Sequence, residues 1–75
     1  MTLNPGQIAA LVVRMQGEFL DAPTLKLTLP EAERRFQVDR VTCEAVLGAL
    51  VDARVLARSR DGFFVRFFPR LAHAA

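Results

Sequence analysis

The sequence predicts an α+β fold, in which three helices precede a C-terminal β-hairpin. Three helix-start signals, each followed by apolar residues at helical spacing, predict the helices. The dipeptide Asp61-Gly62, which lies between two strand-like runs, predicts the hairpin. Because 52% of the 75 residues are hydrophobic, one small core can form. We expect residues 1–70 to form a single domain and residues 71–75 a flexible tail.

Helix 1 is predicted to begin at Asn4-Pro5-Gly6-Gln7 and to end at Asp21-Ala22-Pro23. Asn can cap a helix, Pro suits its first turn, and a later Pro disfavours helical geometry before it. The inward stripe of this helix contains Ile8, Leu11, Val12, Met15 and Phe19. Val13 and Leu20 lie off that stripe, so they either widen the buried face or mark a contact with a second chain.

Helices 2 and 3 are predicted on either side of a turn at Gln37-Val38. Leu25-Lys26-Leu27 alternates and predicts a brief strand or an extended link before helix 2. Thr28 and Glu31 match a capping box, and Asp39 is the predicted N-cap of helix 3. The inward residues of helix 2 are Leu29, Ala32 and Phe36. Helix 3 is predicted from about Arg40 to Ala53, with a buried stripe of Cys43, Val46, Leu47 and Leu50 and with Val51 beside it.

The hairpin is predicted from strands at residues 55–60 and 63–68, with Pro69 ending the second strand. A two-residue turn pairs Arg60 with Phe63, Arg58 with Val65, and Leu56 with Phe67. Both faces then carry large apolar groups, but a hairpin on a small core buries only one face. We therefore expect either Phe64 and Phe68, or Phe63 and Phe67, to be left over. They could stack on bases, but we favour packing on a partner or a second subunit.

A resemblance to a known family rests on residues 25–68. The residues that carry it are Leu27-Thr28, Ala32, Phe36, Leu47, Leu50, Val51, Val55-Leu56 and Asp61-Gly62. Together they are similar to the winged helix-turn-helix domain of small, stand-alone bacterial proteins of largely unassigned function. One departure is the turn, which often contains Gly in such motifs and here contains Gln37 and Val38. The resemblance implies duplex DNA binding through helix 3 and the hairpin, as in a dimeric transcriptional regulator.

Charge supports nucleic acid on the hairpin side of the chain. Residues 1–39 have a net charge of −1 and residues 40–75 a net charge of +3. Basic side chains near helix 3 and the hairpin can contact phosphates, and Arg suits phosphate and guanine. The candidate DNA-binding residues are Arg34, Arg35, Arg40, Thr42, Arg58, Arg60 and Arg66.

The outward face of helix 3 argues for a protein partner instead. This face carries Val41, Ala45, Gly48 and Asp52, and so lacks the Arg, Lys, Asn or Gln that read base edges best. The candidate interface residues are Val13, Leu20, Val41, Ala45, Phe64 and Phe68. Two expectations follow: a winged-helix protein that binds duplex DNA as a dimer, or an interaction or dimerisation module without sequence-specific DNA binding.

Catalysis, metal binding and cofactor binding are not expected. The single His73 lies in the predicted tail, and Cys43 lies on the apolar stripe of helix 3, where a buried thiol is inert. The four Gly residues are scattered, so no phosphate-binding loop is predicted. The chain has no run of apolar residues long enough to span a membrane. With one Cys, no internal disulfide can form, and a reducing cytoplasm is the default compartment. No small-molecule substrate is indicated.

Overall fold

Three helices and one small antiparallel sheet make up the computed structural model, which describes residues 3–68. The elements are α1 (Pro5–Asp21), β1 (Lys26–Leu27), α2 (Leu29–Phe36), α3 (Arg40–Asp52), β2 (Leu56–Arg58) and β3 (Phe64–Arg66). The strand order is β1-β3-β2, so the short run before α2 is a strand rather than a link. The predicted α+β class and element order are confirmed. The predicted stop at Pro69 and the tail at residues 71–75 lie outside the described residues.

The predicted caps begin the three helices. At α1, the Asn4 side chain accepts a hydrogen bond from the Gln7 backbone N–H at 2.8 Å, and the Gln7 side chain accepts one from the Asn4 N–H at 2.9 Å. Thr28 and Glu31 make the same reciprocal pair at α2, at 3.3 and 2.9 Å. Asp39 accepts from Thr42 N–H at 3.0 Å at the start of α3. Each cap satisfies backbone donors that a helix start leaves unpaired.

Two helices end on a residue in the left-handed conformation, and neither residue is Gly. Gln37 follows α2 with φ 56°, and Arg54 follows the cap of α3 with φ 63°. At α3 the Val55 N–H donates to the Leu50 carbonyl at 2.9 Å, as in a Schellman motif. A side chain in this conformation costs about 1 kcal/mol, which explains why Gly is usual there. Gln37 thus takes the part that Gly often plays in this turn.

The core lies between the three helices and the inner face of the sheet. Its buried members are Leu11, Met15, Phe19, Leu27, Ala32, Phe36, Cys43, Val46, Leu47, Leu50, Leu56 and Phe64. The predicted stripes of α2 and α3 are confirmed, with Leu29 and Val51 at the edge of the core. Ile8 was expected to be buried and is 38% exposed. The core begins one turn later, at Leu11, and Ile8 instead lines a groove between α1 and α3.

The hairpin register differs from the predicted one by a single residue. The observed pairs are Leu56 with Arg66, Ala57 with Val65, and Arg58 with Phe64. The Ser59 N–H donates to the Phe63 carbonyl at 2.8 Å, so three residues, Arg60-Asp61-Gly62, form the loop. The Gly62 N–H returns to the Ser59 carbonyl at 3.1 Å, and only Gly62 in this loop has a positive φ, of 88°. This is a turn followed by a left-handed Gly, not the expected two-residue turn.

The shifted register changes which Phe residues are exposed. A slip of one residue reverses the face of each side chain relative to the partner strand. Phe64 now shares the inner face with Leu56 and is only 2% exposed, so its assignment to an interface is wrong. Phe68 is 56% exposed, as the interface assignment requires. Phe63 and Phe67 lie on the opposite face of β3 and its extension, and both are partly exposed.

Replacing Gln37 with Gly should stabilise the domain. Gly adopts a positive φ without the clash that a Cβ causes, so we expect Gln37→Gly to raise the free energy of unfolding by about 1 kcal/mol. Gln16→Gly, the same change inside α1, should lower it by roughly 0.5–1 kcal/mol. Urea unfolding followed by circular dichroism measures both. A loss of stability in Gln37→Gly would contradict the left-handed assignment.

Candidate functional site

The exposed surface of α3 divides into two flanks. One flank, with Val41, Ala45 and Ala49, faces α1 across a groove. The other flank, with Gly48 and Asp52, faces the hairpin. The first flank is uncharged and the second carries charges. Some of the candidate residues lie on neither flank.

The first flank belongs to an apolar surface shared with α1. A groove of about 270 Å³ is lined by Ile8, Val12, Val41, Thr42, Ala45, Val46 and Ala49, none of them charged. Ala9 and Val13 are exposed and four residues apart on α1, so they form a ridge one residue further round the helix than Ile8 and Val12, which line the groove. Val13 is 70% exposed and Val41 is 76% exposed. We call the surface of Ile8, Ala9, Val12, Val13, Val41, Thr42, Ala45 and Ala49 the α1–α3 face.

The second flank carries charges of both signs. Arg58 of β2 lies in a cleft with Gly48 and Asp52 of α3. Glu44 and Asp52 are exposed on α3, where they would repel phosphate, and Arg40 is exposed in its first turn. The exposed positions of α3 after Arg40 hold no Arg, Lys, Asn or Gln, so this helix offers few groups that can read base edges.

Two of the candidate DNA-binding arginines are directed towards α1. The Arg35 Nε donates to the Glu18 carboxylate at 2.6 Å, which forms the one ion pair found among residues 3–68. The Arg66 guanidinium lies 3.5 Å from the Leu20 carbonyl at the end of α1 and 5.0 Å from the centre of the Phe68 ring. Leu20, Arg66 and Phe68 therefore form a separate cluster. Neither arginine extends the basic surface of the hairpin flank.

The remaining candidates lie on α2, α3, β2 and the hairpin loop. Thr42 lines the apolar groove on the α1 flank, although its backbone N–H is held by Asp39. Arg34, Arg40 and Arg60 are exposed on α2, α3 and the hairpin loop. Arg58 lies with its guanidinium 4.6 Å from the centre of the Phe64 ring. The structure thus brings only Arg58 of this set against α3, beside the carboxylate of Asp52.

Cationic side chains lie over the aromatic rings of the sheet. Two of these cations, Lys26 and Arg54, are not among the residues that the sequence singles out. Lys26 Nζ is 4.7 Å from the centre of the Phe63 ring, and Arg54 Cζ is 5.9 Å from that of Phe67. Lys26 reaches Phe63 because β1 pairs with β3, placing Lys26 opposite Val65. No local sequence signal gives either pairing, because both depend on the sheet register.

A further concavity lies between the C-terminal end of α3 and β2. It has a volume of about 420 Å³ and is lined by Val51, Asp52, Arg54, Leu56, Ala57, Arg58 and Phe67. We call it the Arg54–Arg58 cleft. Arg54, Arg58, Asp52 and Phe67 all contribute to its lining.

Nucleophilic or metal chemistry finds little support in residues 3–68. No group of three or more His, Cys, Asp or Glu side chains there can hold a metal ion. Burial raises the pKa of the Cys43 thiol to about 11, and the nearby Glu33, Asp39 and Glu44 add to the rise. Hydrogen bonds from Thr42 lower the pKa of Asp39, which is the N-cap of α3. No helix in this part of the chain is long and apolar enough to cross a membrane.

Comparisons with protein-family models, curated proteins and solved structures gave no match.

Cys43 should be unreactive in the folded protein. A pKa near 11 instead of 9.0 leaves about 100-fold less thiolate, and burial adds to the protection. We expect an aromatic disulfide reagent at pH 8 to react at least about 100-fold more slowly with folded protein than with protein in urea. Equal rates would contradict the burial of this thiol.

The same shift predicts a loss of stability in alkali. The folded pKa lies above the unfolded value, so the stability due to the neutral thiol is present below pH 9 and lost as the pH rises towards 11. Cys43→Ala should reduce this alkaline loss when urea midpoints are compared between pH 8 and pH 11. An identical alkaline loss in the variant would contradict the assignment.

Proposed function

We propose that this chain is a winged-helix domain that works as a self-association module, with its α1–α3 face meeting the same face of a second copy. The observation that carries the proposal is the α1–α3 face itself, which is apolar, uncharged and largely exposed at Val13 and Val41. Contiguous apolar patches on the surface of a protein mark interaction sites.

The winged-helix interpretation is supported by the order of the elements. α2 and α3 are joined by the short turn Gln37-Val38-Asp39, β1 precedes α2, and the β2–β3 hairpin follows α3. Such domains bind many kinds of partner, so the function depends on the surface and not on the fold. The surface of this chain differs from that of a typical DNA reader, because α3 exposes Glu44 and Asp52 on the hairpin flank.

A second copy suits this surface for two reasons. A two-fold axis places the same patch on both sides of the interface, so a face with charge of one sign would bring like charges together. The α1–α3 face has no charge to repel. It also has a ridge at Ala9 and Val13 beside a groove, so an axis between them can seat each ridge in the other groove. The small Ala45 and Ala49 let a helix approach closely.

Charge placed on this face should dissociate the dimer. We expect wild-type protein to sediment as a dimer, and Val13→Asp or Val41→Asp to raise the dissociation constant at least about tenfold, because an unpaired carboxylate is costly to bury in an interface. Ala10→Asp is the matched control, because Ala10 is exposed on the other side of α1, in a groove with Arg14. Sedimentation equilibrium measures the three variants.

A wild-type monomer at the highest soluble concentration would contradict the proposal. So would a dimer that all three Asp variants leave intact, because the contact would then lie on another surface. The Leu20 and Phe68 cluster is the next apolar surface to test in that case.

Duplex DNA is a second candidate partner, favoured by one observation. Arg40, Arg58 and Arg60 are exposed and take part in no ion pair with the described residues. They lie on α3 and the hairpin, the elements that contact duplex in winged-helix transcriptional regulators. Phosphate contacts from a few arginines give salt-sensitive binding with little sequence preference. Dimerisation through the α1–α3 face leaves the hairpin flank free for such contacts.

Removing Arg58 and Arg60 together tests the duplex candidate. If both contact phosphate, the double variant Arg58→Ala with Arg60→Ala should weaken binding to random duplex, and the dependence of log K on log salt should fall by about 2. Arg14→Ala is the control, because Arg14 lies over the Phe36 ring on the other side of the domain. Anisotropy titrations at several salt concentrations supply the slopes. Unchanged binding in the double variant would exclude this surface.

A further inference from the structure

The outer face of the sheet is apolar and aromatic. The observed register places Phe63, Val65 and Phe67 on the face opposite Phe64. None of the three belongs to the core or to the residues packed against it. The solvent face of an antiparallel sheet is ordinarily polar. Two partly exposed Phe rings on this face, roughly 13 Å apart along the strand, therefore call for a ligand with flat apolar surfaces.

Each of these two rings has a cation beside it. Lys26 lies over Phe63, and Arg54 lies over Phe67. Neither cation forms an ion pair within residues 3–68. The ligand that complements this face is therefore both aromatic and anionic. A protein partner with an apolar surface would match the rings but would leave the two cations without counter-charges.

The Arg54–Arg58 cleft adds a concave site at the Phe67 end of this face. Its volume of about 420 Å³ falls within the ordinary range of ligand sites, which begins at roughly 300 Å³. Arg54 and Arg58 supply planar donors that suit phosphate oxygens, and Phe67 supplies a ring. Asp52 is the single carboxylate in the lining, so the cleft keeps a net positive charge.

The backbone at Arg54 fits such a role. Arg54 has φ 63°, a position where Gly would relieve the strain of a side chain. Strained residues of this kind cluster at functional sites. The left-handed turn after α3 places Arg54 in the lining of the cleft, where its guanidinium lies 5.9 Å from the centre of the Phe67 ring.

We propose that the outer face of the sheet binds single-stranded nucleic acid. One nucleotide lies in the Arg54–Arg58 cleft, with its base stacked on Phe67 and its phosphate held by Arg54. A second base stacks on Phe63 beside Lys26. Bases of a duplex are already stacked and cannot meet these rings, so the ligand of this site differs from the duplex candidate even though Arg58 and Asp52 line both surfaces. The proposal does not depend on the α1–α3 face.

Anisotropy with a labelled oligothymidine of about 15 nucleotides at low salt tests the site, since single-strand sites of roughly 4–16 nucleotides are common. We expect micromolar binding by the wild-type protein. Phe63→Leu and Phe67→Leu should each weaken it at least about fivefold, because stacking is lost while apolar volume is kept. Phe68→Leu is the matched control, since Phe68 is exposed but does not share the outer face, and should change binding less than about twofold.

The phosphate contact is tested by a second pair of variants. Arg54→Gln should weaken binding and lower its salt dependence, whereas Arg34→Gln, which removes an exposed charge on α2, should have little effect. Val13→Asp should bind the strand as the wild-type protein does. Circular dichroism spectra that match the wild type show that each variant is folded.

Four results would overturn the proposal. One is the absence of binding at about 100 μM protein, the weak end of ordinary non-specific affinity. Another is full binding in Phe63→Leu and Phe67→Leu. A third is equal competition by duplex of the same phosphate concentration, which would leave only electrostatic attraction. The fourth is equal displacement by thymidine monophosphate at the same nucleotide concentration, which would make the site one for a free nucleotide.

Discussion

Phe64 joins the sheet to the helices, and the hairpin register decides that this residue, rather than Phe63, is directed inward. It pairs with Leu27 on one side and Arg58 on the other, and it is almost fully buried with Leu56 in the core. The loop Arg60-Asp61-Gly62 fixes this register, since Ser59 and Phe63 close it by a backbone hydrogen bond. A slip of one residue between the strands would change which rings share a face with Leu56 and which face solvent.

The exposed surfaces follow from that arrangement. With Phe64 and Leu56 inside, the sheet covers the core with one face and presents Phe63, Val65 and Phe67 on the other. Arg58 is carried to the edge beside α3, where it faces Asp52. The α1–α3 face lies on the other flank of α3 and contains no residue of the hairpin. A chain of this size can therefore present a neutral surface for a second copy and a cationic, aromatic surface for a different ligand.

The sequence predicts the helices well because their signals are local. Caps at Asn4, Thr28 and Asp39 act within three residues, and the apolar stripes repeat within one turn. The register could not be predicted in the same way. Asp61-Gly62 is compatible with a two-residue or a three-residue loop, and the choice depends on the packing of Phe64 against the helices.

The tertiary contacts of individual arginines could not be predicted from the sequence either. Arg35 is paired with Glu18, which lies 17 residues away in the chain. Arg66 lies against the end of α1, 46 residues from Leu20. The sequence predicts both as DNA-binding residues. The positions of charges along a sequence do not show which tertiary partner each side chain will meet. Arg54 and Lys26 lie over Phe67 and Phe63 because the register places these two rings on the outer face.

The register is most directly tested by nuclear magnetic resonance. Ser59 with Phe63 and Val55 with Phe67 are hydrogen-bonded pairs, so Arg58 with Phe64 and Leu56 with Arg66 are the close, non-hydrogen-bonded pairs between them. Strong Overhauser effects between the Hα atoms of Arg58 and Phe64, and between those of Leu56 and Arg66, are the predicted result. Strong effects between the Hα atoms of Ser59 and Phe64, or of Ala57 and Arg66, which are the close pairs of the register with a two-residue loop, would contradict the observed register and with it the aromatic outer face.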